Sequence, residues 1–345
     1  MFTELIPGLP EEIGLECLTR LHYTAHSVAA RVCQRWRELL RSRDFYYHRK
    51  HTGHTHKAAC LIQSLWPVQS QSGGRKEVAQ PSYGVSVFDP VSGSWDRVEP
   101  IPKYPDGLPL VCQVASSEGK LVIMGGLDPV SWNPVKDVFV YEFTTRRWTQ
   151  CKDMPSKRSF FGVGAVDGRV FVAGGHDDSK NALNSAWVYD IQTEKWTELP
   201  PMSEERDECE GIVIGSEFWV VSGYDTENQG GFKSSAESLA LGTGRRRRVE
   251  YAWKASQCPR SCVGVDKNGN LICRSESNPA VRIGTCGVEL GGLTLVAGSP
   301  YQGAPQGLFL LETKDGQNGK MVKMGVPEEF SGSRSAMGIW PTLCR

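Results

Sequence analysis

A phrase of small and aromatic residues recurs along this 345-residue chain. Gly125-Gly126, Tyr141 and Trp148 are followed one repeat later by Gly174-Gly175, Tyr189 and Trp196. The glycine pairs stand 49 residues apart, and the Tyr and Trp pairs 48. Phe88 and Trp95 repeat the Tyr-to-Trp interval upstream, and Ser222-Gly223 supplies a further double-small step. A period near 50 with a diglycine and spaced aromatics points to a β-propeller, a ring of sheets set radially about an axis. Such a ring is a rigid surface for holding something and does not itself define a chemistry.

Residues 158–197 give the grammar of one repeat. Arg158-Ser159-Phe160-Phe161-Gly162 opens a strand, Asp167-Gly168 turns it, and 170–173 returns to Gly174-Gly175. Residues 187–190 and 195–197 supply a third and a fourth strand. The alternating apolar runs and Asp-Gly or Asn-Gly turns are hairpin signals. The glycines are expected to allow close backbone packing between blades, and each Trp to wedge between neighbouring sheets. Hairpin turns at Gly119, Gly168, Gly215, Gly269 and Gly291 are 49, 47, 54 and 22 residues apart. The last interval is half a repeat, so the blade starting at Arg260 reads as truncated. The strands at 58–66, 83–89 and 94–98 lack a fourth member, which the C-terminal strand near 335–340 is expected to provide. The expected fold is mainly β: a propeller over 58–345 of six blades with one degenerate, or of five.

The first part of the chain reads differently. Residues 9–40 carry apolar residues at helical spacing, with Pro10, Glu11 and Glu12 marking a helix start. A second stretch places Val28, Val32, Trp36, Leu39 and Leu40 on one expected face. So short a segment buries too little to be stable alone, and its apolar face is expected to be completed from outside the chain. Residues 49–57 read as a polar connector, and 69–81, rich in Gln, Ser and Gly, as a long loop.

These residues resemble two known families. The diglycine followed by spaced Tyr and Trp is similar to the kelch repeat. Leu9-Pro10, Leu18, Leu21 and Val32-Cys33-Gln34-Arg35-Trp36-Arg37-Glu38-Leu39-Leu40 resemble an F-box, here over 2–48. F-box followed by kelch is characteristic of plants. Gly125-Gly126-Leu127-Asp128-Pro129, Arg158-Ser159-Phe160-Phe161-Gly162 and Glu205-Arg206-Asp207-Glu208-Cys209 look like the KISS ME DEADLY group. The resemblance implies the substrate receptor of a cullin-RING ubiquitin ligase. The F-box would dock a Skp-type adaptor, and through it cullin, while the kelch ring holds a target protein. Targets implied by that group are phenylalanine ammonia-lyase, in phenylpropanoid metabolism, and type-B response regulators of cytokinin signalling. The implied adaptor-binding residues are Leu9, Pro10, Ile13, Leu18, Leu21, Val32, Cys33 and Trp36. The bland alternative is that these side chains form an internal core against the propeller.

Arg158, Arg206, Arg260 and Arg334 each precede a predicted first strand, and so are expected to recur at one end of the ring. Arg158 and Arg206 both lie 16 residues before the double-small step. The loops after that step, carrying Trp132, His176 and Tyr224, should open on the same end. Binding concentrates in loops on rigid scaffolds, and Arg, Trp and Tyr are enriched at interface hot spots. These seven residues are the expected substrate rim. Bracing of the loops, by arginine pairing with acids such as Glu205 or Asp207, is the competing reading.

Other signals weigh less. Lys and Arg total 39 against 39 for Asp and Glu, so net charge offers no argument for nucleic acid or a membrane surface. No apolar run approaches the roughly 20 residues of a membrane helix, and the N-terminus lacks the pattern of a secretory signal. The eleven scattered cysteines then read as reduced thiols in the cytosol or nucleus. His48, His51, His54 and His56, and likewise Cys258, Cys262, Cys273 and Cys286, lack the spacings of a zinc site. The run Arg245 to Arg248 reads as a solvated loop, with a nuclear-localisation patch or a contact for an acidic partner as alternatives. No nucleophile motif or phosphate-binding loop is present. The expectation is therefore a non-catalytic receptor without metal or cofactor, with a scaffold or propeller enzyme unrelated to ubiquitin as the alternative.

Overall fold

Alternating apolar runs separated by tight turns fold, repeat by repeat, into four-stranded antiparallel sheets. The computed structural model describes residues 4–65, 82–252, 263–265, 271–273, 283–290, 293–299, 307–312, 321–330 and 340–344. In chain order, the strands of the first blade are β1 (Ala58–Leu65), β2 (Ser82–Phe88) and β3 (Trp95–Arg97). The second blade comprises β4 (Gln113–Ser117), β5 (Lys120–Met124), β6 (Val138–Glu142) and β7 (Arg147–Gln150). The third comprises β8 (Gly162–Val166), β9 (Arg169–Ala173), β10 (Ala186–Asp190) and β11 (Lys195–Leu199). The next comprises β12 (Glu210–Ile214), β13 (Glu217–Val221), β14 (Ala236–Ala240) and β15 (Arg246–Val249). A two-stranded sheet follows, β16 (Val263–Val265) with β17 (Leu271–Cys273), where the half-repeat was expected. The last full repeat comprises β18 (Ile283–Glu289), β19 (Leu293–Ser299), β20 (Gly307–Glu312) and β21 (Met321–Lys323).

The final strand, β22 (Trp340–Cys344), pairs antiparallel with β1, Ala58 facing Cys344 and Ile62 facing Trp340. It completes the first blade in the order β22-β1-β2-β3, so the two ends of the ring are joined in one sheet. This strand was expected near 335–340; residues 331–339 lie outside the described residues. The described residues thus form five four-stranded blades and one two-stranded sheet. The innermost strands are neighbours around the axis: β18 beside β22, β22 beside β4, β4 beside β8, and β8 beside β12.

The diglycine and the aromatics do different work in this fold. Gly125 and Gly126 have φ of 58° and 91°, and Gly174 and Gly175 have 70° and 81°. Each pair ends a second strand in the left-handed region, which glycine enters without penalty. Ser222 adopts the same conformation at φ 63°, so its repeat keeps the turn without the favoured residue. The Tyr-to-Trp interval is a cross-strand pair. Phe88 faces Trp95, Tyr141 faces Trp148 and Tyr189 faces Trp196, with ring centroids 4.9, 5.1 and 4.8 Å apart. Trp148 Nε1 donates to the Glu99 carbonyl and Trp196 Nε1 to the Lys152 carbonyl, tying each outer strand to the preceding connection.

The arginine run departs from expectation. It is not a loop: Arg246 to Arg248 lie in β15, with Arg246 opposite Leu239, the slot that holds Trp in earlier blades. Arg246 also takes over the Trp hydrogen bond, its Nε donating to the Pro200 carbonyl at 2.8 Å. Arg247 pairs with Glu217 at 3.2 Å and lies over the Trp219 ring, and Arg248 pairs with Glu204 and Glu250.

Four helices precede the ring: α1 (Glu11–Thr19), α2 (Tyr23–Ala29), α3 (Gln34–Arg41) and α4 (Arg43–His51). The fourth runs through part of what reads as polar connector, where Ser42 caps it by accepting from the Phe45 amide at 3.1 Å. The helices share a core of Leu5, Leu18, Ala29, Ala30, Leu40 and Phe45. They rest on one end of the ring. Arg41 pairs with Glu142 at 2.8 Å, Arg43 with Glu118 at 2.7 Å, and Arg43 Nη2 also donates to the Asp167 carbonyl. Those partners sit at the β6–β7, β4–β5 and β8–β9 turns. Successive turns of an antiparallel blade alternate between its two ends, so the β5–β6, β9–β10 and β13–β14 loops open at the end away from the helices.

Candidate functional site

The most regular feature of the expected rim turns inward. Arg158 is 1% exposed and Arg206 0%. Arg158 Nη1 donates to the Gly174 carbonyl at 3.2 Å, and its Nη2 to the hydroxyls of Ser156 and Ser185 at 3.0 Å. Arg206 Nη1 donates to the carbonyls of Ser222 at 2.8 Å and Ser235 at 3.2 Å, while its Nη2 reaches the Ser235 hydroxyl and the buried Glu237. Burial holds the Arg158 guanidinium down to about 10. Neither arginine presents its charge to a protein partner, so both are corrected from rim residues to internal pins. The spacing of 16 now has a cause: each guanidinium binds the carbonyl of the left-handed residue in its own blade. The backbone continues the stitch, because the Gly126 and Gly175 amides donate to the carbonyls of Arg158 and Arg206 in the next repeat. Arg260 and Arg334 lie outside the described residues.

The other three expected rim residues lie in loops at the free end. Trp132, in the β5–β6 loop, is 49% exposed, beside Val130 at 86%. Phe232 in the β13–β14 loop is 43% exposed and packs edge-on against Tyr224 at 5.3 Å. Val130 and Phe232 were missed by sequence reading; an isolated apolar residue in a polar loop is a weak signal by itself. Tyr224 is braced, its hydroxyl donating to Glu208 at 3.2 Å.

His176 joins two blades through side chains of a familiar combination. Its Nε2 is 2.8 Å from the Ser159 hydroxyl and its Nδ1 is 2.8 Å from Asp207. Ser159 is fully buried, so a substrate carbonyl has no approach to it. The arrangement follows from the repeat. Ser159 and Asp207 succeed the two pinned arginines, and isolated bridges pair Ser159 with His176 and Asp207 with Tyr224. His176 therefore clamps the segments that lead into β8 and β12, beside its own β9–β10 loop.

On the helices, the expected adaptor-binding residues divide. Leu18 is 2% exposed within the helical core, and Leu21 and Trp36 pack against that core. Trp36 Nε1 donates to the Leu5 carbonyl at 2.7 Å. Leu9 is half-buried, whereas Pro10 and Cys33 are exposed, and Ile13 and Val32 are 50% and 63% exposed. Val28, also 63% exposed, belongs with them. The single apolar face expected over Val28 to Leu40 does not form, because the helix breaks between Ala29 and Gln34. Val28 and Val32 point to solvent while Trp36 and Leu40 turn into the core. An ion pair from Arg35 to Glu11 holds the start of α3 beside the start of α1. Among the described residues, no group of three or more His, Cys, Asp or Glu could hold a metal, and no helix is long and apolar enough to cross a membrane.

A four-helix segment with exposed apolar side chains, seated under a propeller built on diglycine turns and Tyr–Trp pairs, defines a helical docking module joined to a kelch ring. Comparison with known proteins gives the same division. Residues 6–48 match the F-box domain, and residues 70–243 match the KLHDC2/KLHL20/DRC7 Kelch-repeats domain. The chain is 42% identical over 281 residues to F-box/kelch-repeat protein At1g15670 of Arabidopsis thaliana, covering 79% of this chain and 78% of that one. It is 38% identical over 302 residues to F-box/kelch-repeat protein At2g44130 of the same plant, covering 80% and 73%. Against F-box/kelch-repeat protein At1g80440, also of that plant, identity is 41% over 242 residues, covering 70% and 68%. The chain belongs to the F-box/kelch-repeat family of plant proteins.

Proposed function

We propose that this protein is the substrate receptor of a Skp–cullin–F-box ubiquitin ligase. An F-box joined to a kelch ring is the architecture of a substrate adaptor in such a ligase. One observation carries the reading: among the described residues, exposed apolar side chains are found both on the helices and on the rim at the opposite end of the ring. Pro10, Ile13, Val28 and Val32 are on the helices, and Trp132, Val130 and Phe232 are on the far rim. One end is free for a Skp-type adaptor and, through it, cullin, while the other holds a target for ubiquitination and proteasomal degradation. The receptor contributes proximity, by raising effective concentration, and no covalent chemistry of its own. Its resemblance to the KISS ME DEADLY group favours phenylalanine ammonia-lyase or type-B response regulators as targets, and hence the cytoplasm or nucleus as the place of action. Nucleic acid and membrane have no part in this reading.

Replacing Ile13 and Val32 together by Asp places charges where an adaptor must bury apolar surface. Co-purification with the Skp-type adaptor and cullin should fall at least about tenfold, while the propeller stays folded. Unchanged co-purification would remove the ligase assignment. Replacing Trp132 and Phe232 together by Ala should weaken capture of a target protein by about ten- to a hundredfold and leave adaptor binding intact. Target capture unaffected by that pair would move the substrate surface elsewhere on the ring.

A further inference from the structure

A cleft of about 600 Å³ lies between the helices and the turns of the ring beneath them. That volume is in the range of sites for drug-sized molecules. Tyr23, Phe45, Tyr46 and Phe143 give it flat apolar walls, and Arg49 and His26 give it polar ones.

Among the described residues, Arg49 is hydrogen-bonded but has no carboxylate beside it, and His26 has a ring nitrogen without a partner. Arg49 is 7% exposed. Its Nε donates to the Thr19 carbonyl at 3.0 Å and its Nη2 to the carbonyls of Leu21 and His54 at 2.9 and 2.7 Å, with His56 Nδ1 3.4 Å from the same nitrogen. No carboxylate of the described residues pairs with it, so a buried cation lacks a counter-ion, an expensive arrangement. The cleft's own acids are largely committed: Glu118 to Arg43 and Tyr47, and Glu142 to Arg41. Asp44, at the start of α4, is the other acid on its wall, and Lys120 adds a further cation. His26 is 5% exposed, and its Nε2 has no hydrogen-bond partner. Its other side meets the Leu21 carbonyl, and burial, then the neighbouring Arg49, pulls its pKa down to about 4. The ring is therefore neutral, and Nε2 is an acceptor in need of a donor.

We propose that this cleft binds a small aromatic carboxylic acid bearing a hydroxyl group, with the carboxylate compensating Arg49 and the hydroxyl donating to His26 Nε2. The apolar body of the ligand lies against Tyr23, Phe45 and Phe143. Such a ligand touches the helices and the ring at once, so its binding stabilises their junction by linkage.

The test uses the full chain and thermal unfolding followed by tryptophan fluorescence. The probes are benzoate, 3-hydroxybenzoate and benzylamine, each up to about 10 mM. The acids should raise the midpoint, 3-hydroxybenzoate by about 3 °C and benzoate by less. Benzylamine, of the same shape and opposite charge, should not raise it. His26→Phe keeps a flat ring and removes the acceptor, and should equalise the two acids. Gln192→Trp fills the cleft from an exposed turn position, outside the helical core, and should abolish both shifts. No shift with either acid, an equal shift with benzylamine, or shifts that survive Gln192→Trp would overturn the proposal. Equal shifts from the two acids on the unaltered chain would overturn the pairing with His26.

Discussion

Arg206→Ala is expected to destabilise the propeller by about 3–5 kcal/mol, the cost of breaking a buried ion pair from one side. Arg206 is fully buried and binds two carbonyls, a hydroxyl and Glu237, which is itself 1% exposed. Removing the guanidinium strands the Ser222 carbonyl, leaves the Ser235 carbonyl with the Ser222 amide at 3.2 Å, and leaves Glu237 held by the Ser203 amide and hydroxyl, each at 2.9 Å. In a chain of this size the midpoint of thermal unfolding should fall by about 4–7 °C. Arg206→Lys should recover little, because a point charge on a flexible stem cannot span two carbonyls and a carboxylate as the planar fork does. Arg206→Ala combined with Glu237→Gln should recover part of the loss by removing the orphaned charge. A loss below about 1 kcal/mol for Arg206→Ala would show that the pin is dispensable. Lost target binding in this variant would reflect a loosened ring and would not identify a contact.

The same residue shows how far the sequence could be read. The spacing of Arg158 and Arg206 from their double-small steps was visible and correctly regular, but its meaning was inverted. In a repeat protein, what recurs in every unit is what the units need in order to stack. The residues to test for binding are the departures, and the exposed Trp132 and Phe232, which do not recur from blade to blade, are two of them. The ring closure was legible because three leading strands lacked a fourth, an arithmetic deficit that a strand from the C-terminus had to fill. The role of Arg246 was not legible, since only the register opposite Leu239 shows that it occupies the slot of a tryptophan. The helical face over Val28 to Leu40 was misjudged for a local reason. Periodicity was carried across a break between Ala29 and Gln34 that turns the apolar residues on its two sides in different directions.

Gly211→Ala should be nearly as damaging as the loss of Arg206, by a different route. Gly211 lies on β12 where it meets β8, and both innermost strands bring glycine to the contact. A Cβ at 211 would lie 2.7 Å from the Gly162 carbonyl carbon and the Val163 oxygen, and would also strike the Val163 amide. These are backbone atoms of another blade, so no side chain can rotate away and the sheets themselves must part. Overpacking of this kind costs about 1–3 kcal/mol where side chains can yield, and the upper end or beyond is expected here. Two other glycines separate this steric cost from backbone effects. Gly242 has open space around it and no left-handed φ, so Gly242→Ala should be neutral within about 0.5 kcal/mol. Gly215 also has open space but a φ of 59°, so Gly215→Ala should cost only about 1 kcal/mol of conformational strain. Denaturation of the three variants side by side should give the order 211, 215, 242. A mild effect at 211 would mean that β8 and β12 can separate without penalty, and that the ring is held by its outer tryptophan and arginine ties rather than by contact at its axis.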